Sequence, residues 1–266
     1  MDDSKLRDLV NSSGFPLQIG IENYVNKTHL DHNWKVLLKE HAWKNETSGS
    51  NGFIDLILQH KEEIMVMIVE CKRVKDSSWV FLVPDNITPK SHKTKVWFTE
   101  IEGNKITRSD WEVARVSPES FESEFCVVMG QNKEKPLLER LAGDLIESTE
   151  GFAIQDIEVL NKNQYIGCYY LSVLVTTADL KICCFNPDKI SLGEGKIENM
   201  AFETVPYIRF RKQLSADRGI EKQIKTPGRF RRYQEIAKAN ENTVFVVNSS
   251  YFPQFLKVIN VDEYPS

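Results

Sequence analysis

Three side chains near one another in the sequence have the types and spacing for phosphodiester chemistry: Asp55, closing Gly52-Phe53-Ile54-Asp55, and the outer pair of Glu70-Cys71-Lys72. Phe53 to Leu58 and Ile64 to Val69 are short apolar runs, the pattern of strands buried on both faces. The polar Gln59-His60-Lys61-Glu62-Glu63 joins them at hairpin length. A two-residue turn at Glu62-Glu63 pairs Lys61 with Ile64 and sets Asp55 directly opposite Glu70, with Cβ atoms roughly 5 Å apart on one face. Lys72 shares that face, because strand side chains alternate with period two. Glu-Glu is not the Asn-Gly type that favours a tight hairpin, so a longer loop would shift this register.

Carboxylates that close repel unless a cation lies between them. Hard oxygen ligands favour Mg²⁺ or Mn²⁺ over zinc, and such a metal activates water and neutralises phosphate charge. Lys72, a compact point charge, can position that water or stabilise the transition state. The carbonyl of Cys71 is a further candidate ligand. The expectation is a Mg²⁺-dependent nuclease with Asp55, Glu70 and Lys72 in its active site. An acid two residues before a lysine occurs four times, starting at Asp3, Glu70, Asp179 and Glu194, so the tripeptide alone carries no signal. Its place at the end of a buried strand is what counts, since charges are rarely buried without partners. The competing reading is a strand end where Glu70 and Lys72 simply emerge into solvent.

On these residues the chain resembles the PD-(D/E)XK, or restriction-endonuclease-like, nuclease superfamily. Asp55 matches the motif's aspartate and Glu70 and Lys72 its E-x-K, with Ile54 where the motif's proline stands. The resemblance implies an α/β fold with a central mixed sheet flanked by helices. Its core order is helix, three strands of a meander, helix, strand (αβββαβ). It also implies a first helix starting at Gly14-Phe15-Pro16-Leu17 whose Glu22 faces the metal site. Val175 to Leu180 and Val205 to Phe210 resemble stretches of bacterial members, with no role attached. A restriction or antiphage role and a DNA substrate follow from the resemblance; a ribonuclease, or a non-catalytic nucleic-acid-binding scaffold of the same fold, are the alternatives.

The elements that must position these residues follow from the rest of the pattern. Leu17, Ile21, Tyr24 and Val25 form a helical stripe, with Pro16 preset for its first turn. Trp34, Val36 and Leu38 alternate as a first strand. The Ser/Gly/Asn-rich segment from Thr47 to Gly52 is the turn into the motif strand. Residues 76–130, with Trp79, Trp97 and Trp111, read as a strand-like insertion into a single domain. Helices are expected over Lys135 to Ser148, Arg229 to Ala239 and Pro253 to Ile259, and strands over Tyr169 to Val175, Leu180 to Phe185 and Val244 to Val247. Gln131, ahead of the second core helix, can reach the site or merely open that helix.

At 266 residues, with 41% hydrophobic and 27% charged content, the chain has the composition of a soluble globular protein with a sizeable core. No apolar run approaches a membrane span and the acidic Met-Asp-Asp-Ser start is unlike a secretory signal, so a cytoplasmic location is expected. Five cysteines without a C-x-x-C argue against disulfides and zinc. His29 and His32 read as a polar helix end, and Gly193-Glu194-Gly195-Lys196 as a turn. The net charge of −4 is unevenly spread: fourteen acids against six Lys/Arg from Glu100 to Glu158, but three against ten from Val205 to Lys238. The basic C-terminal part, residues 205–266, contains Arg229, Arg231 and Arg232 interleaved with Phe230 and Tyr233, a candidate phosphate track with stacking aromatics or else a solvated helix face. Lys90 and Lys93 form a second candidate cluster, for which a solvated loop is the plainer reading. A homodimer or a partner protein is compatible with all of this.

Overall fold

The computed structural model describes residues 2–46, 48–62, 64–75, 77–86, 90–102, 105–129, 137–159, 166–214, 237–238 and 240–263. The expected helix over Arg229 to Ala239 falls almost wholly outside them, as do Arg229, Arg231, Arg232 and Gln131.

Helix α1 (Asp3–Ser12), capped by the Asp2 side chain, buries no residue. Helix α2 (Phe15–His32) opens with a proline in its first turn and buries Gln18, Ile21 and Val25. It stops at Asn33, which takes a left-handed conformation with φ 62°, the usual device for ending a helix without glycine. Three antiparallel strands follow, β1 (Trp34–Lys44), β2 (Asn51–His60) and β3 (Met65–Lys72). Strands β2 and β3 are apolar on both faces because both faces are covered: Leu56, Ile57 and Leu58, and Val66 through Val69, have no exposed surface.

The segment from residue 76 to 130 holds β4 (Ser78–Pro84), β5 (Lys90–Glu102), β6 (Lys105–Ser123) and β7 (Cys126–Val128). Helix α3 (Leu137–Val159), longer than its sequence stripe indicates, crosses to β8 (Ile166–Thr176), which pairs in parallel with β3 from Met65↔Tyr169 to Lys72↔Thr176. Next come β9 (Asp179–Phe185), the small hairpin β10 (Ile190–Ser191) and β11 (Lys196–Ile197) turning at Gly193 to Gly195, β12 (Ala201–Thr204) and β13 (Tyr207–Lys212). Strand β14 (Asn242–Asn248), helix α4 (Phe252–Val258) and β15 (Asn260–Glu263) close the fold.

The architecture is therefore a β-rich α/β fold around a mixed nine-stranded sheet. Strands β5 and β6 belong to that sheet, while β4 and β7 join β9 and β12 in a second, four-stranded one. Pairings β8–β5, β5–β6, β6–β13, β13–β14 and β14–β8 close into a ring of five strands. One apolar layer packs Ile21 and Val25 of α2 and Phe252, Phe255 and Leu256 of α4 onto Met67, Val69 and Val173. The opposite layer packs Leu138, Leu141 and Leu145 of α3, with Trp79 and Phe81 of the second sheet, onto Ile57, Ile68 and Leu174. All five cysteines are free, and no described helix is long and apolar enough to cross a membrane.

Candidate functional site

The β2–β3 ladder runs Gln59↔Val66, Leu58↔Met67, Ile57↔Ile68, Leu56↔Val69. Its next step is Asp55 opposite Glu70, the register that a two-residue turn predicts. The main-chain ladder stops one residue short of that pair, whereas β2 stays with β1 as far as Lys44↔Asn51. The β1–β2 hairpin thus peels away from β3 at the carboxyl end of the parallel β3–β8 pair, and the Asp55 carboxylate bridges the gap. Its Oδ2 accepts the Cys71 N–H at 2.7 Å. Since the N–H and C=O of a strand residue leave on the same side, the Cys71 carbonyl opens toward Asp55 as well, beside Gly14 at the start of α2. The Cys71 thiol is buried in the opposite layer, and burial pushes its pKa well up.

Glu70 and Lys72 emerge on the α3 side of the sheet, where alternation puts them with Val66 and Ile68. Both are half-buried. Burial, then the negative charge of Asp55, push the Glu70 carboxyl up to about 8; Lys72 opposes the shift, while Asp144 on α3 and Glu40 on β1 add to it. Asp55 is raised as well, first by burial and then by Glu40, against the Cys71 N–H and Lys72. One lysine is thus set among several carboxylates whose charged forms are disfavoured where they stand.

Two of these participants carry no sequence signal. Lys39↔Leu56 and His41↔Ile54 flank Glu40, which stands opposite Asp55 on its other side. Glu40, Asp55 and Glu70 therefore line up across three adjacent strands. Glu40 holds φ at 47°, a conformation costly for a residue with a long side chain. Gln18 of α2, only 7% exposed, donates from Nε2 both to the Glu40 carboxylate and, at 3.1 Å, to the Asp55 carbonyl. Glu22, expected at this place, is one turn further along the same helix face and pairs with Lys39 at 2.8 Å instead. The helical stripe identifies the face, but only the position of α2 along its axis selects Gln18.

Between the hairpin and α3 lies a cleft of about 420 Å³, with Glu70 at one end and Trp43, Phe53, Leu141, Asp144 and Glu147 in its walls. Asn45 Nδ2 and Ser48 Oγ donate to the Glu147 carboxylate at 3.0 and 2.6 Å, tying the β1–β2 connection to α3 across it. Lys90 and Lys93 are not part of this cluster: Lys90 sits over the Phe121 ring at 5.0 Å and Lys93 pairs opposite Arg115 on the β5–β6 ribbon. The His29–His32 region behaves as a helix end, with the His32 ring accepting the Trp34 N–H at 3.1 Å.

Among the described residues no group of three or more His, Cys, Asp or Glu side chains is arranged to hold a metal. The donors gathered here are fewer and harder: the Asp55 and Glu70 carboxylates and the Cys71 carbonyl. That set suits a small divalent cation completing its shell with water, and the raised Glu70 carboxyl is the kind of acid such a cation would ionise. No family model, curated protein or solved structure matches the chain.

Proposed function

We propose that the chain is a Mg²⁺-dependent nuclease, with DNA as its expected substrate, and that Asp55, Glu70 and Lys72 form its active site. The observation that carries this reading is the register that brings Asp55 opposite Glu70, with Lys72 on the same face and the Glu70 carboxyl raised to about 8. The order of elements supports it: a helix, an antiparallel three-strand meander, a helix and a strand parallel to the third is the arrangement the superfamily resemblance implies.

Asp55, Glu70 and the Cys71 carbonyl would hold the ion, which supplies Lewis acidity and a water acidified for attack on phosphorus. Lys72 presents its ammonium to the phosphate and offsets charge developing on the oxygens as one P–O ester bond breaks. Gln18 fixes α2 to both β1 and the Asp55 main chain, so the carboxylates keep their spacing.

The test is incubation of the purified protein with plasmid, linear and single-stranded DNA and with RNA, in Mg²⁺, Mn²⁺ or chelator. The expected result is cleavage that needs the cation and is lost in Lys72→Ala while the fold persists. Cation-independent cleavage, or equal cleavage by wild type and Lys72→Ala, would defeat the mechanism. Nucleic-acid binding without cleavage would return the chain to the scaffold alternative.

A further inference from the structure

The second sheet, ordered β12–β9–β4–β7, turns one face into the core. Trp79, Phe81 and Val83 of β4, Val128 of β7, and Leu180 and Ile182 of β9 all pack there. Alternation sends the residues between them to the other face. The registers lay those residues out in rows: Val80 stands between Val127 and Lys181, and Leu82 is beside Cys183, which faces Phe202. Met129 follows Val127 on the same side of β7. A sheet face left in water is ordinarily polar. Here Val127 is 56%, Met129 62% and Phe202 58% exposed, with Val80 and Leu82 partly exposed between the strands that carry them. A contiguous apolar surface of this kind marks a place of contact with another macromolecule.

We infer that this face is a dimer interface, covered by the same face of a second copy of the chain. Two twisted sheets stack with their apolar faces about 10 Å apart, so each copy supplies the layer that the other lacks. The charges favour a copy over a nucleic acid. Asp179 and Lys181 share the face, in register with Ser78 and Val80, and cancel, so it neither repels its own copy nor attracts a phosphate chain. Its strands have 3, 7, 7 and 4 residues. At about 3.3 Å per residue and 4.8 Å between strands they span roughly 330 Å² in projection. Upright side chains raise the accessible area above that figure. A facing pair then buries on the order of 1,000 Å² in all, the lower limit for a specific interface, which makes the dimer a reversible one. The face turns away from the sheet that carries Asp55 and Glu70, so the inference stands apart from the nuclease reading.

The test is sedimentation velocity of the full chain from low to high micromolar concentration, without nucleic acid. Wild type is expected to pass from monomer to dimer as concentration rises. The double variant Val127→Lys/Phe202→Lys should stay monomeric, its dissociation constant raised at least about 10-fold, because a dimer would desolvate four ammonium groups without partners. The milder Val127→Ser/Phe202→Ser should weaken the dimer in the same direction, and far-UV circular dichroism checks each fold. Leu30 on α2 is 83% exposed and off this face, so Leu30→Lys should dimerise as wild type does. A wild type that remains monomeric at every concentration overturns the inference. So does a dimer that survives both double variants, or one that Leu30→Lys dissociates equally, since the contact would then lie elsewhere.

Discussion

At the scale of single residues, the Glu70 carboxyl is where the site's energetics can be read. Its folded pKa of about 8 lies above the ordinary value of 4.5, so the folded chain binds a proton that the unfolded chain has released. Stability from this group is complete below about 4.5, declines as pH rises, and is lost once pH passes about 8. Asp55, also raised, acts in the same direction. Thermal melts of the metal-free protein should therefore show Tm falling between these limits, and Glu70→Gln should flatten the slope. Added Mg²⁺ should restore Tm at the alkaline end, because an ion bound only by the folded state stabilises it. A metal-free protein whose Tm rises across the window would contradict the shift. Glu40 gives a finer test, since it raises Glu70 from the far side of Asp55. Glu40→Gln keeps an oxygen acceptor for the Gln18 amide and removes only the charge. It should move the decline of Tm with pH toward lower pH.

At the scale of elements, the site exists because a hairpin leaves its neighbouring strand. β2 pairs with both β1 and β3 through Leu56, then follows β1 alone, and α3 closes over the opening. Contact of α3 with β1 is close at Gly151: a Cβ there would stand 3.0 Å from Trp43 Cε3 and 3.1 Å from the Lys44 carbonyl. Gly151→Ala gains about 1 kcal/mol of helix propensity, but overpacking against a buried indole and a main-chain oxygen costs about 1–3 kcal/mol. Denaturant melts should show a net loss of roughly 1 kcal/mol, with altered tryptophan emission as Trp43 is displaced; a stabilised variant would mean the helix slides freely on β1. The Asp55–Glu70 register was legible in the sequence because both strands are buried on both faces and joined by few residues. The face carrying Lys72 followed from period two alone. Gln18 and Glu40 were not legible: their roles depend on the axial position of α2 and on the β1–β2 register, set across a connection whose length the apolar pattern does not constrain. Strands β5 and β6 read as an insertion because their pairing with β8 and β13 joins residues far apart in sequence, for which periodicity gives no signal.

At the scale of the whole molecule, the ring β8–β5–β6–β13–β14 decides whether this chain is one cooperative unit. It stitches strands from the supposed insertion to strands from the C-terminal part through β8, which is also the partner of β3. Inside it lies Arg209 of β13, with no exposed surface. Its guanidinium donates to Thr94 Oγ1 on β5 at 3.0 Å and, on β6, to the Pro118 carbonyl at 2.9 Å, Ser120 Oγ at 2.6 Å and the Val116 carbonyl. It also lies over the Phe245 ring of β14 at 4.6 Å. Burial lowers its pKa to about 10, with the charges of Glu122, Tyr207, Glu119 and Asp262 opposing the shift, so it remains a cation at neutral pH. Arg209→Met keeps much of the volume but leaves several buried acceptors without donors, each costing about 1–3 kcal/mol. The expected loss is therefore several kcal/mol, enough to leave little of a typical domain's stability of about 5–15 kcal/mol. If the ring makes one unit, unfolding of the wild type followed by tryptophan emission and by far-UV circular dichroism should coincide in a single transition, and Arg209→Met should shift both together. Two separated transitions, with only one of them moved by Arg209→Met, would mean that residues 76–130 fold as a module apart from the strands that carry Asp55 and Glu70.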